Sequence, residues 1–432
     1  MNKVAKNAVW IIGGKIAQAL LALVINMLTA RYLGPSNFGM ITYAASLVAF
    51  ALPVMQLGFD ATLVQEIVEK PELEGQYLGT AILLNFVSSI FCVISVALFV
   101  WGVNSGERET FIVCLLYSFV LPFQALDQIV YWYQAKLRSK YTSIIGLIAY
   151  IIVSAYKIFL LVEKKSIYWF AISNAFDYAL IAIAAFVLYQ ILGGKKMTFS
   201  LSIGKEMFKK SKYYIFPAMM VTIFAQTDKL MIKMMIDETA TGYYGAAVSC
   251  AGLSGFVFTA IIDSFRPAIF EGKNIDENIF RKRLAMLYSV TIYLSLIQSA
   301  IMTMLSKYVV DILYGKEYLP AVNALRIIVW YTTFSYLGAI RNIWMLANKQ
   351  QKYLWKINLI GAIANVAMNL ILIPILGING AAIASLLTQL FTNVVVGYVI
   401  KPIRPNNDIM LESLNPQYLL LAFKKMWKKN NV

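Results

Sequence analysis

The chain has 432 residues, 60% of them hydrophobic and only 14% charged, with a mean hydropathy of +0.67 and a formal charge of +16. A soluble domain is nearer half apolar and a quarter charged, so this composition excludes an ordinary water-soluble domain and points to a bilayer. The excess of Lys and Arg sits between apolar stretches, so lipid takes the place of nucleic acid as the expected partner.

A helix that crosses the hydrocarbon core needs about 20 apolar residues. Twelve runs of that kind are expected, at 8–30, 39–59, 77–102, 110–134, 142–162, 167–192, 213–235, 243–270, 283–305, 320–346, 353–376 and 379–400. The first is long enough to span and lacks a small-residue cleavage site, so it is expected to remain as an anchor. Short joins close two pairs, at Glu163–Ser166 and at Gly377-Ile378-Asn379-Gly380. The fold class expected is an all-α membrane protein of about 12 transmembrane helices in two pseudo-symmetric six-helix lobes. The domains are 1–192, a basic connector 193–212, a second lobe 213–401 and a basic tail 402–432.

Charge distribution orients these spans. Of the 38 Lys and Arg residues, 24 fall in loops on the N-terminal side, 6 in the opposite loops and 8 within the runs. The bias places both termini in the cytoplasm. The halves look duplicated. Asn37-Phe38-Gly39 is matched by Tyr243-Tyr244-Gly245, and Ala45 with Leu47 by Ala251 with Leu253. Trp132, Ala135, Lys140 and Tyr141 are matched by Trp344, Ala347, Lys352 and Tyr353 at one offset. Two repeats that both start in the cytoplasm imply an axis along the membrane normal, with substrate bound between the halves. The tail Tyr418–Lys429 reads either as an interfacial helix on anionic lipid or as a snorkelling basic end.

Charges inside a span are costly and face a cavity or a partner. The basic ones are Lys15, Lys157, Lys229, Lys233, Arg266, Arg326, Arg341 and Lys356, of which Lys356 and Lys233 lie where they can snorkel. Helical spacing puts Lys15, Gln18, Asn26 and Thr29 on one stripe and Thr222, Gln226, Lys229 and Lys233 on another. If these stripes face each other they line a cationic, hydrated cavity suited to a phosphate-bearing ligand. Asp263 and Arg266, three apart, either join that cavity or neutralise one another. Asn358, Asn365 and Asn369 share a face, the pattern of interhelical hydrogen-bonding glue. Acidic residues in or beside the spans are Asp60, Asp127, Asp177, Asp228 and Asp263. The chain has no histidine, so any proton or sodium coupling falls to these. Cys92, Cys114 and Cys250 give neither a disulfide framework nor a metal-ligand spacing, and no metal or other cofactor is expected.

The stretch Thr29-Ala30-Arg31-Tyr32-Leu33-Gly34-Pro35-Ser36-Asn37-Phe38-Gly39 resembles the signature after the first helix of polysaccharide exporters and O-antigen flippases. These belong to the multidrug/oligosaccharidyl-lipid/polysaccharide (MATE/MOP-like) exporter superfamily. Asn365, Asn369, Pro374 and Gly377-Ile378-Asn379-Gly380-Ala381-Ala382-Ile383-Ala384 are similar to that family's last two helices. Asp228 with Tyr243, Tyr244 and Ala246-Ala247 resembles its seventh-to-eighth helix region. The resemblance implies a flippase that carries an undecaprenyl-pyrophosphate-linked oligosaccharide, by alternating access, from the cytoplasmic to the periplasmic leaflet. A polysaccharide polymerase and a chain-length regulator would be its partners. It further implies substrate binding by Lys15, Lys229 and Arg266, with Arg341 and Arg326 behind them and Gln18, Asn26 and Gln226 beside them. Two other transport readings stay open: a cation-coupled drug exporter and a lipid II flippase, although lipid II flippases of the superfamily usually carry fourteen helices. An enzyme is not expected, because no catalytic constellation is visible.

Overall fold

The structure, a computed structural model, describes the backbone of residues 3–430 and the side chains of these except 3–12, 14–16, 20, 423 and 425–430. Among the described residues it contains helices and no strands.

The first helix, α1 (Lys3–Met55), is two helices joined at Gly34, whose φ of 73° and ψ of 171° lie outside the helical region. Glycine takes that conformation without a Cβ penalty, and Pro35 then opens the second leg with its φ already fixed. A short turn at Phe59–Ala61 leads to α2 (Leu63–Glu69) and α3 (Glu74–Val103). Three pieces, α4 (Arg108–Ser118), α5 (Val120–Leu126) and α6 (Ile129–Ala135), make the next crossing. They are followed by α7 (Ser139–Val162), α8 (Ile167–Ile191) and α9 (Leu201–Met235). Then come α10 (Glu238–Ala251), α11 (Gly255–Ile275), α12 (Glu277–Tyr314), α13 (Ala321–Ala347), α14 (Leu354–Leu376), α15 (Ile378–Leu390) and α16 (Val396–Val399). Two further helices follow, α17 (Arg404–Glu412) and α18 (Pro416–Asn430).

Ten segments among the described residues are long and apolar enough to cross a membrane. One of them contains both legs of α1. The 27-residue α13, less apolar because it carries Arg326 and Arg341, lies outside the ten. Counting the legs of α1 separately and adding α13 gives the twelve helical crossings expected.

The chain divides into two compact units, Met1–Gly242 and Tyr243–Val432. In unit 1, α1 packs on α4, α7 and α9. Among the described residues three apolar clusters fill it, around Tyr43, Val113 and Phe170, around Phe59, Tyr77, Trp132 and Met207, and around Val48, Met55, Leu121 and Ala175. Lipid tails are as apolar as these side chains, so close packing rather than escape from water holds such helices together. Gly39 and Gly242 show it best. A Cβ on Gly39 would run into the Glu238 carbonyl, and one on Gly242 into the Pro35 carbonyl. In unit 2, α12 is the central helix, buried from Leu284 to Ile292 against α11, α13 and α18.

The division differs from the repeat boundary read in the sequence, because α9 packs within unit 1. Twelve residues of the expected connector, 201–212, form the first three turns of this helix. Ser200 caps it by accepting from the Ile203 N–H, and Ile203, Gly204, Met207 and Ser211 are buried. The Ser211 hydroxyl donates to the Leu57 carbonyl at 2.7 Å. Lys210 pairs with Glu66 at 2.6 Å and with Glu206 at 3.1 Å, and Lys70 pairs with Glu206 at 3.1 Å. At about 1.5 Å per residue α9 is roughly 50 Å long, against a hydrocarbon core of about 30 Å. The polar turns at its start therefore have room outside the core.

The duplication is visible in the backbone. At an offset of 212, Leu137 and Lys349 both adopt left-handed φ, 53° and 55°. The surrounding bonds repeat: Lys136 N–H to Trp132 O and Asn348 N–H to Trp344 O are both 3.0 Å. Arg138 N–H to Tyr133 O and Gln350 N–H to Met345 O are both 2.7 Å. The same helix-ending motif also closes helices at Lys164 and Gly193, so what the repeat contributes is its occurrence at matching positions.

The tail belongs to unit 2. The Tyr288 hydroxyl donates to Asn406 Oδ1 at 2.9 Å, Arg281 pairs with Glu412, and Tyr418 and Ala422 of α18 pack with Met286 and Val290.

Candidate functional site

Within unit 1 the stripe on α1 is only partly visible, since the Lys15 side chain lies outside the described residues. Gln18 is half-buried, with its amide against Gly146 of α7, where a Cβ would sit 2.5 Å from Nε2. Asn26 is exposed and Thr29 is buried. On α9, the Gln226 Oε1 atom accepts from Lys229 Nζ at 2.9 Å and from Ser46 Oγ of α1 at 3.3 Å. Gln226 thus ties α9 to Ser46 on the second leg of α1, beyond Gly34 and outside the stripe of Lys15, Gln18, Asn26 and Thr29. Asp228, the neighbour of Lys229, is buried and engaged.

Lys233 does not snorkel. Its side chain is only 3% exposed, with Nζ 2.7 Å from Glu107 and 3.1 Å from Glu238. Around this centre Thr110 and Asn104 donate to Glu107, Tyr43 donates to Asn104 and Ser36 to Glu238. Burial alone would push the Glu107 carboxyl up. The Lys233 ammonium and the hydrogen bonds from Thr110 and Asn104 outweigh it and hold the group below its ordinary value. Sequence reasoning missed this set because Glu107 and Lys233 are 126 residues apart. Its one local signal was an acidic residue in each of two short polar joins.

Within unit 2, Arg266 is half-exposed and pairs at 3.1 Å with Asp263, one turn back. That is the neutralising alternative, although the exposure leaves the guanidinium reachable. Arg326 is exposed and donates to Ser306 Oγ at 2.9 Å. Arg341 is buried, 5% exposed, and donates from Nη1 to the Thr392 carbonyl at 2.7 Å. That carbonyl lies in a π-helical stretch, Phe391–Val395, between α15 and α16. A π-turn shifts the i→i+4 ladder and can free a carbonyl for an outside donor. Gly338, one turn before Arg341, lets the Asn393 side chain lie directly against α13. Neither the π-stretch nor its pairing with Arg341 was legible from spacing. None of the ion pairs among the described residues involves Lys229, Arg326 or Arg341.

The asparagine face of α14 joins α15: Asn369 donates to Asn365 at 3.1 Å and Asn365 to Ser385 at 3.5 Å. Lys356 is exposed, with its ammonium over Tyr353 and Trp355. Among the acidic residues, Asp60 is exposed in the turn after α1, while Asp127 and Asp177 lie inside unit 1 with one oxygen of each buried and without a partner. No metal-binding group of three or more His, Cys, Asp or Glu side chains occurs among the described residues. Cations held by neutral oxygens keep their charge for an anionic group, and that is the chemistry Lys229 and Arg341 can offer.

The profile of a family described as "Polysaccharide biosynthesis protein" matches residues 4–273. The chain belongs to this family. As a polysaccharide biosynthesis protein it is similar to the capsular polysaccharide biosynthesis protein CapF of Staphylococcus aureus, with 20% identity over 392 residues, 89% of this chain and 96% of the relative. It is also similar to a probable low-salt glycan biosynthesis flippase, Agl15, of Haloferax volcanii, with 22% identity over 382 residues, 83% of this chain and 75% of the relative. Among solved structures, the lipid II flippase MurJ in an inward closed conformation superposes with a TM-score of 0.71 at 16% identity, covering 96% of this chain and 93% of that one. An inward-facing MATE multidrug transporter of the MOP superfamily gives 0.66 at 11%, covering 91% and 96%. At these identities the structural likeness establishes the fold. This member of the polysaccharide biosynthesis family is a multi-pass membrane protein with a MATE/MOP-like fold.

Proposed function

We propose that this protein is a flippase for lipid-linked oligosaccharides. Its cargo is an undecaprenyl-pyrophosphate-linked repeat unit of a surface polysaccharide, moved by alternating access from the cytoplasmic to the periplasmic leaflet of the inner membrane. Both termini lie in the cytoplasm, as the 24-to-6 distribution of basic residues favours. Family membership supports the pathway. The observation that carries the cargo is the state of Lys229 and Arg341, two cations inside membrane-depth helices held by neutral oxygens of Gln226 and Thr392. A pyrophosphate would add counter-charge at both groups, of which Lys229 has Asp228 within electrostatic reach and Arg341 is hydrogen-bonded to a neutral carbonyl, whereas a cationic drug would meet repulsion. In unit 1, Lys15 is a further proposed phosphate partner, with Gln18, Asn26 and Gln226 as hydrogen-bonding neighbours; in unit 2, Arg266 and Arg326 are further proposed phosphate partners. The released unit passes to a polysaccharide polymerase and its chain-length regulator.

The test uses a strain in which this chain is the sole flippase for its repeat unit. Deleting it should abolish surface glycan and leave lipid-linked repeat units on the cytoplasmic leaflet. Lys229→Gln and Arg341→Gln should reproduce that phenotype with the protein still in the membrane. Normal surface glycan in both variants would overturn the cargo.

A further inference from the structure

Unit 1 holds a second set of ionisable groups, away from the α1–α9 stripe. Lys157 of α7 donates from Nζ to Asn174 Oδ1 of α8 at 2.9 Å, and the Asn174 amide donates on to the Phe170 carbonyl at 3.0 Å. Asp177 is one turn further along the same face of α8, within electrostatic reach of Lys157. Asp127, the residue that ends α5, lies within electrostatic reach of Asp177. Asp127 Oδ1 and Asp177 Oδ1 are both buried and have no hydrogen-bond partner. The other titratable groups that face the set are Tyr150 of α7, Tyr178 of α8 and Tyr131 of α6, and Tyr117 of α4 lies within reach of Tyr178. Tyr131 is in turn within reach of Asp60, which is exposed in the turn after α1. The second leg of α1 (32–55) and residues 75–103 of α3 carry no Asp, Glu, Lys or Arg; the first leg of α1, which packs on α7, carries the exposed Arg31 and Lys15, whose side chain lies outside the described residues.

The set runs along the crossing. With a rise of about 1.5 Å per residue, Lys157 lies about 8 Å from the Val162 end of α7 and Asp177 about 15 Å from the Ile167 end of α8. Asp127 lies about 12 Å from the opposite end, at Ala135, where Asp60 meets solvent. Fully ionised, Lys157, Asp127 and Asp177 sum to one negative charge, and such a charge at this depth is costly. One proton brings the set to neutrality. Lys157 already stands there as a resident cation, and its ammonium disfavours a metal ion.

A structural ion cluster would be the simpler account, but the repeat argues against it. At the offset of 212, Lys157 corresponds to Asn369 and Asp177 to Gln389. There the same helix pair is joined by neutral amides, through Asn369, Asn365 and Ser385. The packing of these two helices therefore does not require the charges that unit 1 carries.

We propose that Asp127 and Asp177 form a single-proton site in unit 1, with Lys157 as its fixed counter-charge and Tyr131 and Asp60 as its route to water. Hydronium gives one proton to a carboxylate oxygen, forming a carboxyl O–H and leaving water; release is the reverse step. The use of this proton in a transport cycle rests on the flippase reading above. The site itself is read without transport.

The experiment records infrared difference spectra of the purified full-length protein between alkaline and acidic pH, following the carbonyl band of a protonated buried carboxyl. The wild type should gain such a band. Asp127→Asn and Asp177→Asn should each lose it, because one carboxylate beside Lys157 is already neutral. Lys157→Met should keep it, and Asp177→Glu should move it in frequency, which guards against loss through misfolding. A band unchanged in both Asn variants would overturn the site, as would a band that sodium removes at fixed pH and ionic strength. A failed transport assay leaves this result standing, and a missing band leaves the flippase reading standing.

Discussion

Lys233 is a single side chain whose removal has a calculable consequence. Breaking a buried ion pair on one side costs about 3–5 kcal/mol, and partial exposure of Glu107 and Glu238 lowers that towards roughly 2 kcal/mol. Lys233→Met should therefore depress the thermal midpoint in detergent, and Lys233→Arg should largely restore it. The same centre gives a pH dependence. Glu107 has a lowered folded pKa, so its contribution is present above its ordinary value of 4.5 and is lost as pH falls below that, through the folded value. Stability measured between pH 6 and pH 3 should fall less steeply in Glu107→Gln than in the wild type. An identical slope would remove Glu107 from the account. Arg266 makes the contrasting case. Its half-exposed i, i+3 pair is worth only about 0.3–0.5 kcal/mol, so Arg266→Gln should leave the thermal midpoint nearly unchanged while reducing glycan export. Several of these residues were legible in the sequence, because a charge inside an apolar run announces itself. Their partners were not. Thr392 offers its carbonyl to Arg341 only through a π-stretch, and Glu107 finds Lys233 across 126 residues.

At the scale of elements, glycine placement decides how closely helices approach. Gly39 and Gly242 face backbone atoms that cannot swing aside. Gly39→Ala should cost about 1–3 kcal/mol, whereas Gly102→Ala, with open space around it, should be neutral or slightly stabilising. A thermal-shift series on the two variants decides it, and equal midpoints would contradict the close crossing. The turn after α13 makes the opposite prediction. Lys349 holds a left-handed φ at a cost of about 1 kcal/mol, so Lys349→Gly should raise the midpoint. The element pattern itself could be read before the structure, since twelve apolar runs became twelve helical crossings. The ends could not. Polar turns at the start of α9 read as connector because Lys205, Glu206, Lys209, Lys210 and Lys212 mask a buried face of Ile203, Met207 and Ser211.

For the whole molecule, duplication explains both the legibility of the fold and the limit of that legibility. Trp132 and Trp344, with the residues that follow them, marked the repeat in the sequence, and the two turns beyond them share hydrogen bonds of the same length. The compact units nevertheless divide after Gly242, because α9 buries its face on α1 and α3. The charge distribution predicts the orientation: Lys165→Cys should react with an impermeant thiol reagent from outside intact cells, and Lys205→Cys only after permeabilisation. The reverse pattern would invert the topology. The central claim, transport of a pyrophosphate-linked glycan lipid, is tested most directly in proteoliposomes with a labelled undecaprenyl-pyrophosphate oligosaccharide. Accessibility of the glycan to an external glycan-modifying enzyme should rise with the wild-type protein and stay at the protein-free level with Arg341→Gln. Equal accessibility in wild-type and protein-free vesicles would contradict it.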